Sequence, residues 1–313
     1  MDASPRYPGV SIMITRRVHN RAFRLRPSAK TNGIVSYVVA VLVAHYKLEL
    51  NALMTMSTHY HARFFDPFGR ASDFARDCHA FIAKLVIAAY GEEDESLWSP
   101  VSTNYVEDDQ PNGAIGQIAY IMSNPVTAGL VKRVKDWPGA KGRWPQRERV
   151  IKQPPRFFQE DRWSPEARTA SGRPKIHWAK TATLKFTRPR GCGETSDNEL
   201  ALALHRAIEV REEAAHKRWN GVAGAFPGKR AALRVSRRKR TESHEPKRGS
   251  KRIPSIRSLD RERRIERLNG LREWRVNYRA CMAEWPTNRR VVFPYGTNKM
   301  RAVHGVSVDE APT

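Results

Sequence analysis

The sequence predicts an α+β fold: a ferredoxin-like antiparallel sheet with helices on one side, followed by a basic, mostly helical C-terminal extension. Over the first 145 residues, short apolar runs with strand alternation interleave with longer runs of helical period, in the order strand, helix, strand, strand, helix, strand, helix. The charge divides unevenly: residues 1–145 carry 17 Lys and Arg against 13 Asp and Glu, and the remainder carry 39 against 19. A 313-residue chain with 40% hydrophobic composition can also bury a substantial core.

Val10 to Thr15 reads as the first strand, followed by the basic stretch Arg16-Arg17-Val18-His19-Asn20-Arg21. Ile34, Val38, Val41, Leu42 and His45 follow helical spacing, and the opposite side of that helix is also apolar, so it is expected to press against a sheet. Leu50, Ala52, Met54 and Met56 alternate as a second strand, and His59 to Phe65 make a third, stopped by Asp66-Pro67-Phe68-Gly69. Phe74, Cys78, Phe81, Leu85 and Ala88 mark a second helix with Ser72 as its expected N-cap. An acidic loop, Glu92 to Glu95, precedes a strand at Val101 to Val106. Asp108 or Asp109 is the expected cap of a third helix carrying Tyr120, weakened by Gly113 and Gly116.

This first domain, 1–145, ends near Trp144-Pro145. Residues 146–195 read as a Pro/Arg-rich linker with a short strand at Ala182, Leu184 and Phe186. Residues 196–313 form the basic helical region. Ser196 and Glu199 match a capping box ahead of a stripe through Leu200, Leu204, Ile208, Ala215 and Trp219, and a last helix runs through Leu268, Leu271, Trp274, Tyr278, Cys281 and Trp285. Between them, 228–255 is expected to be flexible, with Arg237-Arg238-Lys239-Arg240 and further basic pairs set among Ser, Gly and Pro.

A net charge of +24 concentrates polyanions, nucleic acid first among them. Cys78, Cys192 and Cys281 are far apart and odd in number, which excludes a disulfide framework or a CxxC zinc signature and suits a reducing cytosol. The N-terminus lacks the order of a signal peptide, and the apolar run Ile34 to Ala44 is too short to span a bilayer, so no membrane partner is expected.

Two short stretches carry the chemistry. In Met56-Ser57-Thr58-His59-Tyr60-His61 the strand period of two puts both imidazoles on one face, which is half a metal site. In Tyr120-Ile121-Met122-Ser123-Asn124-Pro125 a phenol and an amide stand four apart on one helical face. Each has a plainer reading: paired core histidines, a core tyrosine, and a helix stop at Asn-Pro.

Taken together, and in this order, these stretches resemble the single-tyrosine transposases of the HUH endonuclease superfamily, most closely the REP-associated tyrosine transposases. The resemblance covers roughly residues 10–140. Its carriers are Thr15-Arg16-Arg17, Met56 to His61, Leu97-Trp98, and most specifically Tyr120 to Val131. Thr58 stands where many relatives have Asn, and Arg63 where the strand is usually aliphatic. The resemblance implies a metal-dependent enzyme that nicks and rejoins single-stranded or hairpin DNA. Tyr120 would be the nucleophile, and His59, His61 and Asn124 would hold Mg²⁺ or Mn²⁺. Arg16, Arg17, Arg21 and Arg24, and the run Arg237, Arg238, Lys239 and Arg240, are the expected DNA contacts. The expected location is cytoplasmic and nucleoid-associated, and a homodimer is left open. A transposase-derived hairpin-binding protein without catalysis is the alternative reading.

Overall fold

A computed structural model describes residues 5–91, 96–101, 103–108, 113–155, 176–241, 256–258 and 260–310. The first elements are β1 (Val10–Arg17), α1 (Ala29–His45), β2 (Glu49–Thr55), β3 (His59–Asp66), α2 (Ala71–Tyr90), β4 (Asn104–Asp108) and α3 (Gly113–Thr127), in the order expected from the sequence. β5 (Lys141–Arg143) and β8 (Ile256–Arg257) extend the sheet to six strands ordered β5-β2-β3-β1-β4-β8. β1 pairs antiparallel with both β3 and β4, while β8 joins β4 in parallel and makes the sheet mixed.

Alternation along the strands creates two apolar faces. Ile12, Ile14, Tyr60, Ala62 and Phe64 point into one core with α1 and α2. Met13, Ala52, Met54 and Val106 point into a second core, which Ile118, Ile121, Met122 and Val126 of α3 close. The expectation of helices on one side therefore holds for α1 and α2 only. α3 lies on the opposite face because both faces of β1 and β2 are apolar and each needs a cover.

α1 is buried around most of its circumference because a hairpin of β6 (Arg149–Lys152) and β7 (Thr181–Leu184) packs on its outer side. The Tyr37 hydroxyl donates to the Ala179 carbonyl there, and Trp178 packs on Phe81 with ring centroids 4.4 Å apart. The described ends of the predicted linker are thus part of the fold, while 156–175 lie outside the described residues. At the start of α2, Asp66 rather than Ser72 satisfies the open backbone donors: its carboxylate accepts from Phe68, Arg70 and Ala71 N–H at 3.2, 2.9 and 2.7 Å.

The helix α4 (Asp197–Trp219) begins with the expected capping box at Ser196 and Glu199 and packs along α3, adding Leu204, Ile208 and Ala215 to the second core. His216 Nε2 donates to the Lys132 carbonyl at 2.7 Å and Trp219 Nε1 to the Thr127 carbonyl at 3.0 Å. In the segment expected to be flexible, Gly228–Arg234 form α5 and residues 235–241 are placed; 242–255 lie outside the described residues. The last helices are α6 (Arg261–Glu284) and α7 (Asn298–His304). Among the described residues no helix is long and apolar enough to cross a membrane.

Candidate active site

The two histidines stand on the α3 face of β3. His59 is half-buried and His61 is 3% exposed, with their ring centroids 4.8 Å apart. The register of β1 sets what lies beside them, for Thr15 pairs with His61 and Arg17 with His59. Thr15 Oγ1 is 2.8 Å from His61 Nδ1, and Thr58 Oγ1 is 3.0 Å from His59 Nδ1. A neutral imidazole that donates from Nδ1 to its threonine keeps its Nε2 lone pair for a metal or, at His61, for the Asn124 amide. Thr58 thus stands beside the His59 ring from the adjacent position in the chain.

Asn124 arrives from α3. Its Nδ2 lies 3.1 Å from His61 Nε2, and the amide also hydrogen-bonds His59. Tyr120, one turn earlier, places its ring centroid 5.6 Å from that of His61 at 70°, and it is 37% exposed. Phenol, amide and both imidazoles thus come together within a single chain, with the phenol reachable from solvent.

The site disfavours protonated imidazole. Burial, then the Arg17 charge, pushes His59 down to about 4, while burial, then His59 and Arg17, holds His61 well below the usual imidazole range. Neutral imidazole is the ligand form. Among the described residues no three His, Cys, Asp or Glu side chains cluster, so the candidate donor set is two imidazoles and one amide, which fits Mn²⁺ better than Mg²⁺.

Arg63 is buried on the same face two residues beyond His61. Its guanidinium donates to Gln117 Oε1 at 2.9 Å, to Asp108 Oδ2 at 3.2 Å and to Asn51 Oδ1. It is a polar clamp that ties β3 to α3 one turn before Tyr120. Arg211 of α4, unassigned from the sequence, donates from Nε to Ser123 Oγ at 3.0 Å and sets its guanidinium 5.4 Å from the Tyr120 ring centroid. Only the position of α4 against α3 could reveal it.

The expected DNA contacts divide. Arg17 is exposed on the histidine face. Arg16 points to the opposite face, half-buried against Trp98 and bonded to the Val101 carbonyl. Arg24 is 5% exposed and donates to the Ser96 carbonyl at 2.9 Å, so both are taken up by the fold. The Arg237 guanidinium lies 3.5 Å above the Tyr90 ring. Arg238, Lys239 and Arg240 are exposed, and their segment pairs with the chain around Arg21: Phe23 N–H donates to the Lys239 carbonyl at 2.9 Å and Ala22 bridges Arg240. Two basic stretches more than 200 residues apart become one surface. It adjoins the histidine turn, since Leu25 N–H donates to the Ser57 carbonyl at 3.0 Å.

The chain is similar to solved transposase structures. One is a REP-associated tyrosine transposase bound to a REP hairpin, with 22% identity over 44% of this chain and 81% of that one, at a TM-score of 0.36. Another is a protein of Deinococcus radiodurans assigned as a transposase, with 18% identity over 34% of this chain and 84% of that one, at a TM-score of 0.27. No protein-family model and no curated protein sequence matches the chain.

Proposed function

We propose that this chain is a metal-dependent single-stranded DNA transposase/endonuclease that cuts and rejoins DNA at hairpin-type sites through a 5′-phosphotyrosine. The observation that carries the reading is the convergence of Tyr120 and Asn124, both on α3, with His61 of β3, 5.6 Å ring to ring and 3.1 Å amide to imidazole.

Tyr120 Oη attacks the scissile phosphorus as its proton leaves to solvent. The new O–P bond forms as the bond to the 3′-oxygen breaks, and that oxygen takes up a proton. His59, His61 and the Asn124 amide would hold Mg²⁺ or Mn²⁺, which would supply Lewis-acid polarisation of the scissile phosphate. Thr15 and Thr58 orient the imidazoles, Asn124 bridges the nucleophile helix to His61, and Arg63 holds α3 at the sheet. The phosphotyrosine conserves the ester bond, so a later 3′-hydroxyl can displace Tyr120 and rejoin a strand. Exposed Arg17 and the joined surface of Arg21 with Arg238 to Arg240 suit the phosphates of a folded strand.

The test is incubation with 5′-labelled and internally labelled hairpin DNA with single-stranded flanks, in Mn²⁺. The expected result is a covalent protein–DNA adduct at a 5′ phosphate, absent in Tyr120→Phe and reduced at least tenfold in His59→Ala and His61→Ala. Tight hairpin binding with no adduct under any metal would leave only the non-catalytic binding protein.

A further inference from the structure

Two guanidinium groups from the C-terminal half border the nucleophile's face of α3. Arg211 lies over Tyr120 and is held through Nε by Ser123, a side chain with no solvent exposure. Arg257, from β8, lies one turn earlier along the same helix. A methyl group on Gly116 would stand 3.2 Å from its Nη2, and Gly116 and Tyr120, four apart, share a face. Glycine at 116 weakens the helix but leaves that guanidinium room.

The two cations sense one another: the charge of Arg257 acts with burial to lower Arg211, while tyrosinate at 120 would favour its charge. On the neighbouring strand, Asp108 pairs with Arg63 at 3.2 Å and Glu107 with Arg267 at 3.0 Å. Among the described residues, the terminal nitrogens of Arg211 and Arg257 make no hydrogen bond or ion pair. Arg211, oriented through Nε, has a planar fork of the kind that takes a phosphate bidentately, and Arg257 adds a second positive charge one turn away on the same helix.

We propose that Arg211 and Arg257 form a phosphate seat beside Tyr120 that takes a phosphodiester of the strand presented to it, so that the C-terminal half completes the candidate site. This rests on the proposed function for the identity of the strand, though not for the binding of phosphate. It also explains why β8 and α4 embrace α3 from two directions.

The experiment separates the two ideas by reading binding rather than cutting. In full-length Tyr120→Phe, the affinity for a fluorescent hairpin with single-stranded flanks is measured by anisotropy while one flank phosphate at a time is replaced by an uncharged methylphosphonate. One or two adjacent positions are expected to lose about tenfold or more in affinity, the scale of a charge-assisted hydrogen bond. In Arg211→Gln and Arg257→Gln, made in the same background, those positions should become insensitive while others keep their effect. Arg211→Lys should retain part of the sensitivity, and far-UV circular dichroism with a thermal melt checks that each variant is folded. No binding, or a position profile in the folded variants identical to the parent's, overturns the seat. Failure of the Tyr120-intact protein to form an adduct overturns the catalytic reading instead.

Discussion

Arg63 offers the sharpest test of how α3 is held against the sheet. Its side chain and that of Asp108 are each 1% exposed, and the same guanidinium also serves Gln117 and Asn51. Arg63→Leu takes from the buried Asp108 carboxylate its ion-pair partner, a loss of about 3–5 kcal/mol, with a further contribution from two amides deprived of a donor. Against a typical domain stability of about 5–15 kcal/mol this is a large share. Asp108→Asn alone should cost a comparable amount, because it leaves the guanidinium with an uncompensated charge. The double variant Arg63→Leu/Asp108→Asn removes both charges and should cost at least about 2 kcal/mol less than the sum of the singles. Urea unfolding of the four proteins, followed by circular dichroism, measures this. Additivity within about 0.5 kcal/mol would show that the pair does not act as a unit and would refute the clamp.

Three further outcomes are expected. Stability should be complete above about pH 6.5 and fall as pH drops from there toward the depressed folded-state values, because the unfolded chain binds protons that buried His59, His61 and His79 resist, the last pushed down to about 3 by burial and then Arg16. His79→Gln should flatten the urea-midpoint profile between pH 6.5 and 4.5, and an unaltered profile would contradict the assignment. Gly129, at φ +69°, faces Trp219 so closely that an added Cβ would sit 2.8 Å from Cε2; Gly129→Ala should cost about 1–3 kcal/mol, speed hydrogen exchange along α4 and slow adduct formation, whereas unchanged exchange would mean α4 is docked by other contacts. Converting Arg238, Lys239 and Arg240 to Gln should reduce the slope of log affinity against log salt for hairpin DNA by about 0.7–0.9 per lost phosphate contact, and an unchanged slope would remove this surface from the interface.

Much of the site was legible in the linear chain because its logic is local. A period of two places His59 and His61 together, and a spacing of four does the same for Tyr120 and Asn124, whatever surrounds them. The short strands β5, β6 and β8, of three, four and two residues, carry too little periodicity to be read. Arginine was the least legible residue type. The same side chain is a solvent-exposed cation at Arg17, a structural tie at Arg24, a buried clamp at Arg63 and a neighbour of the Tyr120 ring at Arg211.

From its sequence alone the chain determined the order of its central elements, the face each histidine takes, and the pairing of phenol with amide, since each follows from backbone geometry over a few residues. Only the tertiary structure decided which side of the sheet α3 covers, that Thr15 and Thr58 orient the imidazoles, that Arg16 and Arg24 are consumed by the fold, and that α4 and β8 bring two arginines to Tyr120. Those outcomes depend on which apolar faces find one another across long stretches of chain, and no local pattern encodes that choice.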